Sequence, residues 1–178
     1  KYGNLNNNRF FGMRHGEATH NQQDKIASGR ESATLRSELT VKGFERVQKV
    51  VPELKKQKID IIVASPYYRA EQTAKIIAKQ LKIKVVIDKR LAEINCGIYN
   101  WQPVSAYFKF FNNKMERFTR APEKAEDLSE VRSRVISCLR DLNQKYKNKN
   151  ILIISHGDPL WILEGAARGQ TEPEYLEQ

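Results

Sequence analysis

The sequence predicts a layered α/β fold: helices on both faces of a mostly parallel central sheet, in three α/β/α layers. Three observations carry the prediction. Short aliphatic runs alternate along the chain with longer segments of helical periodicity. Three polar motifs, Arg14-His15-Gly16, Ser65 to Arg69 and Ser155-His156-Gly157, each stand at the end of such a run. Ligand sites of parallel sheets lie beyond the carboxyl ends of the strands, so these motifs locate a site. Finally, 178 residues with 40% hydrophobic and 29% charged side chains suit one packed unit, residues 1–178. Only 9 Gly and 6 Pro exclude a low-complexity chain.

Phe10 to Arg14 reads as a buried strand running into a loop at His15-Gly16. Glu17 to Glu38 lacks periodicity and reads as a long loop, a length more often functional than idle. Thr40 can cap a helix near 41–57, with Phe44, Val47, Val51 and Leu54 on its buried face and a kink or break at Pro52. Asp60 to Ala64 is strand-like. Ser65 as N-cap and Pro66 at the first position then open a helix that buries Tyr67, Ala70, Ala74, Ile77 and Leu81. Lys84 to Ile87 is a third strand, and Leu91 to Trp101 a loop. Val104 to Phe118 is aromatic-rich and read as helical. Val131, Val135, Cys138, Leu142 and Tyr146 define a helix near 127–147. Asn150 to Ile154 is the strongest strand signal, followed by a helix from about Pro159 to Arg168.

The formal net charge of +10 favours anionic partners: phosphorylated metabolites, nucleic acid or anionic membrane. No aliphatic run approaches the roughly 18 residues of a membrane span. The polar, Asn-rich start is unlike a signal peptide, and Cys96 and Cys138 form no CxxC, which together suggest a reducing, cytoplasmic setting. The chain lacks an initiator Met, and Thr171 to Gln178 reads as a helix without a terminator. These features fit a domain excised from a longer chain and equally fit trimmed or disordered termini.

Of three histidines, His15 and His156 are each followed by Gly after an aliphatic run. Imidazole can serve as nucleophile, base or ligand near neutral pH, and the glycine lets a ligand approach closely. A hydrogen-bonded core histidine is the plain alternative for either one. Zinc binding is disfavoured, because no third His, Cys or HExxH accompanies them and Arg14 and Arg69 would repel a cation. Arg69, in the first turn of a helix, is poorly placed for the helix dipole unless an anion binds there.

Arg14-His15-Gly16-Glu17-Ala18-Thr19-His20-Asn21 resembles the RHGExxxN opening of the histidine phosphatase superfamily, the phosphoglycerate mutase-like group. Leu39-Thr40-Val41-Lys42-Gly43 resembles its LTxxG helix start, and Ser65 to Ala74 its SxxxRAxQTA segment. Leu91-Ala92-Glu93 with Gly97 and Tyr99 resembles LxExxxGxW, and Ser155-His156-Gly157 the late SHG. Order and spacing agree from about Phe10 to Arg168. The resemblance implies a phosphoglycerate mutase-like fold and a phosphoric monoester hydrolase of the histidine acid phosphatase type. It makes His15 the nucleophile that becomes phosphohistidine, and Arg14, Arg69 and His156 the phosphate clamp. Glu93 matches the general acid. Asn21, Ser28, Gly29 and Gly157 fall where relatives contact phosphate or substrate. It implies a small phosphorylated substrate, no metal and no cofactor. His20 matches nothing functional and reads as a loop or surface residue.

The sequence also departs from the pattern. Asn100-Trp101 stands where many members have Glu-Gly, and no closing strand follows Arg168. The ERxYG pattern of true mutases is absent at the acid position. Residues 102–126, the substrate-cap segment by resemblance, interleave Tyr107, Phe108, Phe110 and Phe111 with Lys109, Lys114, Arg117 and Arg120. That mixture fits a core helix with a basic outer face, or a surface for a phosphorylated aromatic ligand or stacked bases. The rival reading is an accessory domain of a larger enzyme, such as an aminoacyl-tRNA synthetase, that binds a phosphorylated or nucleic-acid ligand.

Overall fold

Continuous aliphatic runs belong in strands buried on both faces, while mixed runs belong at edges. The computed structural model describes residues 7–29, 37–171 and 174, and follows that rule. Strands β1 (Arg9–Arg14), β2 (Ile61–Ala64), β3 (Lys84–Ile87) and β4 (Asn150–Ser155) form one sheet in the order β1-β4-β2-β3. Every pairing is parallel. The aliphatic β2 and β4 are central, and β1 and β3, which carry charged residues, are the edges. Arg14 pairs with Ser155 and Ala64 with Ile154, so the polar motifs that follow these strands emerge at one end of the sheet.

Side chains alternate across the sheet. Ile151 and Ile153 of β4 join a core with Leu128, Val131, Val135, Cys138 and Leu142 of α5 (Leu128–Lys145) and Ile162 of α6 (Gly157–Arg168). Leu152 and Ile154 face the other way, onto Val47 and Val51 of α2 (Val41–Lys56) and Ala70, Ala74 and Ile77 of α3 (Tyr68–Leu81). This is the three-layer α/β/α arrangement. Cys96 and Cys138 are buried free thiols. Among the described residues no helix is long and apolar enough to cross a membrane.

Several sequence expectations need correction. The stretch 17–38 is not wholly loop, because Thr19–Gln22 forms a short helix, α1, in which the Asn21 side chain accepts from the Ala18 N–H at 3.0 Å. Residues 30–36 of that stretch, and the helix expected over Thr171 to Gln178 apart from its two described positions, lie outside the described residues. Pro52 does not break α2, which Thr40 caps by accepting from the Gly43 N–H. The proline sits in the last two turns, where one lost backbone bond is tolerated. Ser65 is not the N-cap of α3: Tyr67 is, and the helix begins at Tyr68. The Ser65 hydroxyl instead lies 2.7 Å from His156 Nε2. The helix expected over 104–118 breaks into α4 (Val104–Phe108) and a 3-10 turn at Lys114–Phe118, which Asn113 caps.

Gly97 has a left-handed backbone (φ +56), and a Cβ there would strike the Glu123 carbonyl and the backbone of Lys124–Ala125. Gly97→Ala is therefore expected to destabilise the fold by about 1–3 kcal/mol, read as a lowered Tm. An unchanged Tm would show that the loop can relax.

Candidate active site

The parallel register brings β1 and β4 to a common end, where His15 N–H donates to the Ser155 carbonyl at 3.0 Å. His15 and His156 follow these two strands, and their rings stand 5.0 Å apart. His15 Nδ1 lies 2.7 Å from the Gly16 carbonyl, which can only accept, so Nδ1 carries the proton and Nε2 the lone pair. Arg69 reaches across from the first turn of α3. Its Nε donates to His15 Nε2 at 3.1 Å, and its Nη2 to the Ala27 carbonyl at 2.9 Å, with His156 Nδ1 also 3.1 Å away. His156 is thereby fixed as well: Nδ1 accepts from Arg69, and Nε2 donates to Ser65.

Arg69 is 1% exposed, and its Nη1 is buried without a hydrogen-bond partner. A buried guanidinium N–H left unpaired is costly, and an anion's oxygen is the group that would satisfy it. Burial lowers the Arg69 pKa to about 10, within the range where it remains a cation at neutral pH. Burial, then the neighbouring Arg69 charge, pulls His15 down to about 2. The same two causes hold His156 well below its usual value. Both imidazoles are held neutral at neutral pH, in keeping with the tautomers that their hydrogen bonds define.

A cavity of about 150 Å³ adjoins this cluster, and Arg14, His20, Asn21, Arg69 and Glu93 are among its lining residues. Arg14 is exposed toward solvent and makes no ion pair among the described residues. His15 does not itself line the cavity; Arg69, bonded to it, does. Glu93 lies on the loop after β3 and accepts from the Ile94 N–H at 2.9 Å. Crowding by surrounding atoms and the Asp158 carboxylate raise it to about 7. Asp158 is held by Arg117 at 2.7 Å.

The other anticipated residues take varied places. Asn21 lines the cavity mouth. Ser28 lines it too, but its hydroxyl is committed: it donates to Asn100 Oδ1 at 2.9 Å and accepts from the Cys96 N–H at 3.0 Å. Gly29 packs against the Asn100 side chain, and Gly157 starts α6 with open space where a Cβ would stand; neither lines the cavity. His20 is buried rather than a surface residue, a correction to the sequence reading. Its Nδ1 lies 2.7 Å from Ser37 Oγ, and its Nε2 is 3.1 Å from Asn21 Nδ2. His20, Asn100, Asp158 and Thr73, which accepts from the Gly16 N–H at 3.0 Å, are the site neighbours that sequence reasoning missed. Trp101 adopts φ +63 where the family pattern has Gly, a conformation that costs a bulky residue about 1–2 kcal/mol.

This site and fold define a class: α/β proteins with two strand-end histidines joined by a buried arginine. Residues 10–177 match the histidine phosphatase superfamily (branch 1), and the chain belongs to that family. It is 33% identical over 157 residues to a Hydrogenobacter thermophilus protein provisionally named phosphoserine phosphatase 2, covering 85% of this chain and 74% of that one. It is 31% identical over 166 residues to the Arabidopsis thaliana phosphoglycerate mutase-like protein 4, covering 88% of this chain and 69% of the relative. Its fold is similar to that of the mycobacterial glucosyl-3-phosphoglycerate phosphatase solved with VO3, with TM-score 0.81, 20% identity and coverage of 94% and 83% of the two chains.

Proposed function

We propose that the chain is a phosphomonoesterase working through a phosphohistidine on His15. The observation that carries this reading is the fixed tautomer of His15, its Nε2 lone pair held by Arg69, whose Nη1 awaits an oxygen. An incoming phosphate takes over the Arg69 donors and frees the lone pair for in-line attack on phosphorus. Arg14 and Arg69 hold the equatorial oxygens, the electrostatic share of phosphoryl transfer, and His156 joins them once phosphate takes Arg69 from its Nδ1 and its proton moves from Nε2 to Nδ1, with Ser65 then donating to Nε2. Asn21 adds a donor at the mouth. Glu93 protonates the leaving oxygen, and as its carboxylate then activates the water that hydrolyses the phosphohistidine. The relatives' phosphatase names support hydrolysis. Mutase-like names also occur among them. The discriminating assay supplies 3-phosphoglycerate: release of inorganic phosphate supports the hydrolase, and conversion to 2-phosphoglycerate without release would replace it with a mutase.

Two further outcomes follow from the site. Activity should survive EDTA and be inhibited by vanadate, because both strand-end imidazoles are tied to Arg69 and the cavity is lined by cations that repel a metal ion. An EDTA loss restored by zinc or magnesium would contradict the mechanism.

The first chemical step needs protonated Glu93, whose folded pKa is raised to about 7 from 4.5. Phosphoryl transfer from an alkyl phosphate should therefore fall as pH rises through about 7, and Glu93→Gln should remove that limb. His15, at about 2, stays neutral and contributes no acid limb above pH 4. A falling limb retained in Glu93→Gln would assign it to another group.

A further inference from the structure

We propose that the ester's leaving group is an apolar, ring-bearing alcohol seated on Val104 and Phe108. This deepens the phosphomonoesterase reading and rests on it. A phosphate held by Arg14 and Arg69 leaves its ester group to the rest of the same cavity, which Glu93 also lines. Much of that remaining wall is apolar: Val104 and Phe108, with Ile26, Ile94 and Tyr107. Four residues apart on α4, Val104 and Phe108 share one helix face.

Both stay unusually exposed for apolar side chains that line a cavity: Val104 is 37% and Phe108 48% accessible. The aromatic wall is nevertheless held from behind. The Phe108 and Tyr107 rings meet edge to face at 5.5 Å, and the Arg117 guanidinium sits 5.1 Å from the Phe108 ring centroid. Such a surface is built in advance, with area left for a ligand to cover.

Charge complementarity points the same way. An amino acid or hydroxy acid as leaving group brings a carboxylate, with or without an ammonium. The cavity-lining Asp158 carboxylate is already paired with Arg117. Beyond the clamp residues Arg14 and Arg69, Lys25 is the one cavity-lining cation without an ion-pair partner among the described residues, and it is exposed to solvent, where pairing with a carboxylate adds little. An ammonium would have to compete with Arg117 for Asp158. A ring needs no such partner.

The test measures kcat/KM for ethyl phosphate, benzyl phosphate and O-phosphoserine with the unmodified chain. Ethanol and benzyl alcohol leave as similarly basic alkoxides, so their difference reports contact rather than chemistry. Benzyl phosphate is expected to exceed ethyl phosphate by about 10–100-fold, the range for seating one ring on apolar surface. It should also exceed phosphoserine. Phe108→Ala and Val104→Ser should each lower the benzyl-to-ethyl ratio by about fivefold or more, a ratio that a general loss of folding does not move. A phosphoserine preference, or ratios unchanged in both variants, would overturn the proposal and leave the phosphomonoesterase reading standing. No turnover of any of the three esters would overturn both.

Discussion

Glu93→Gln is expected to slow phosphorylation of the enzyme by an alkyl phosphate about 10²–10⁴-fold, and by nitrophenyl phosphate far less. An alkoxide cannot leave without a proton, whereas nitrophenolate is already a good leaving group. The proposal that Glu93 gives that proton rests on its lining the cavity with Arg14 and Arg69 and on a pKa near 7, which keeps a large protonated fraction at neutral pH. Gln preserves shape and the backbone contact from Ile94 while removing the proton. Because the proposed mechanism also has Glu93 activate water in the second step, single-turnover phosphorylation is the measurement to use. Equal losses for both substrates would mean that Glu93 is not the acid. Glu17, two residues from His15 and engaged by Thr40 at 2.9 Å, would then be the first alternative.

Arg69→Ala should cost about 10²–10³-fold, and by the same factor for both leaving groups. The guanidinium is buried against His15, His156 and the Ala27 carbonyl, with one donor free for phosphate. The role proposed for it is to stabilise charge on the equatorial oxygens, which both substrates share. Arg69→Lys keeps a cation but loses the fork, and should recover only part of the loss. Since the side chain is buried, a thermal melt of each variant must accompany the kinetics. A loss confined to alkyl phosphates would assign Arg69 to leaving-group protonation instead.

The sheet was legible because β2 and β4 are uninterrupted aliphatic runs, and strands end where charge and glycine begin. The strand-end motifs were legible for the same reason, and the parallel register brings them together. Arg69 was rightly placed at a helix start, although the helix begins at Tyr68, later than Ser65-Pro66 suggests, and the serine hydroxyl meets His156 and the Tyr67 N–H instead of capping it. What stayed hidden depends on partners far away in sequence. His20 is buried through Ser37, beyond a stretch without periodicity. Asn100 matters through Ser28, 72 residues distant, and Asp158 through Arg117, 41 residues distant. Local spacing carries none of these. The mixed segment 102–126 is also clearer in space. Its rings stack edge to face on one another, and Arg117 and Arg120 lie over Phe108 and Phe110. The cations expected to face a nucleic acid are thus partly engaged with the chain's own rings, and nothing in the fold adds to the accessory-domain reading.

The central claim is a covalent phosphohistidine, and rapid quench with a 32P-labelled substrate tests it most directly. Label should be trapped on the protein, be lost in acid and survive base, map to His15, and be absent from His15→Ala, which should also lose turnover. Label that survives acid but not base would be an acyl phosphate, and label persisting in His15→Ala would place the nucleophile elsewhere; either result would contradict the account.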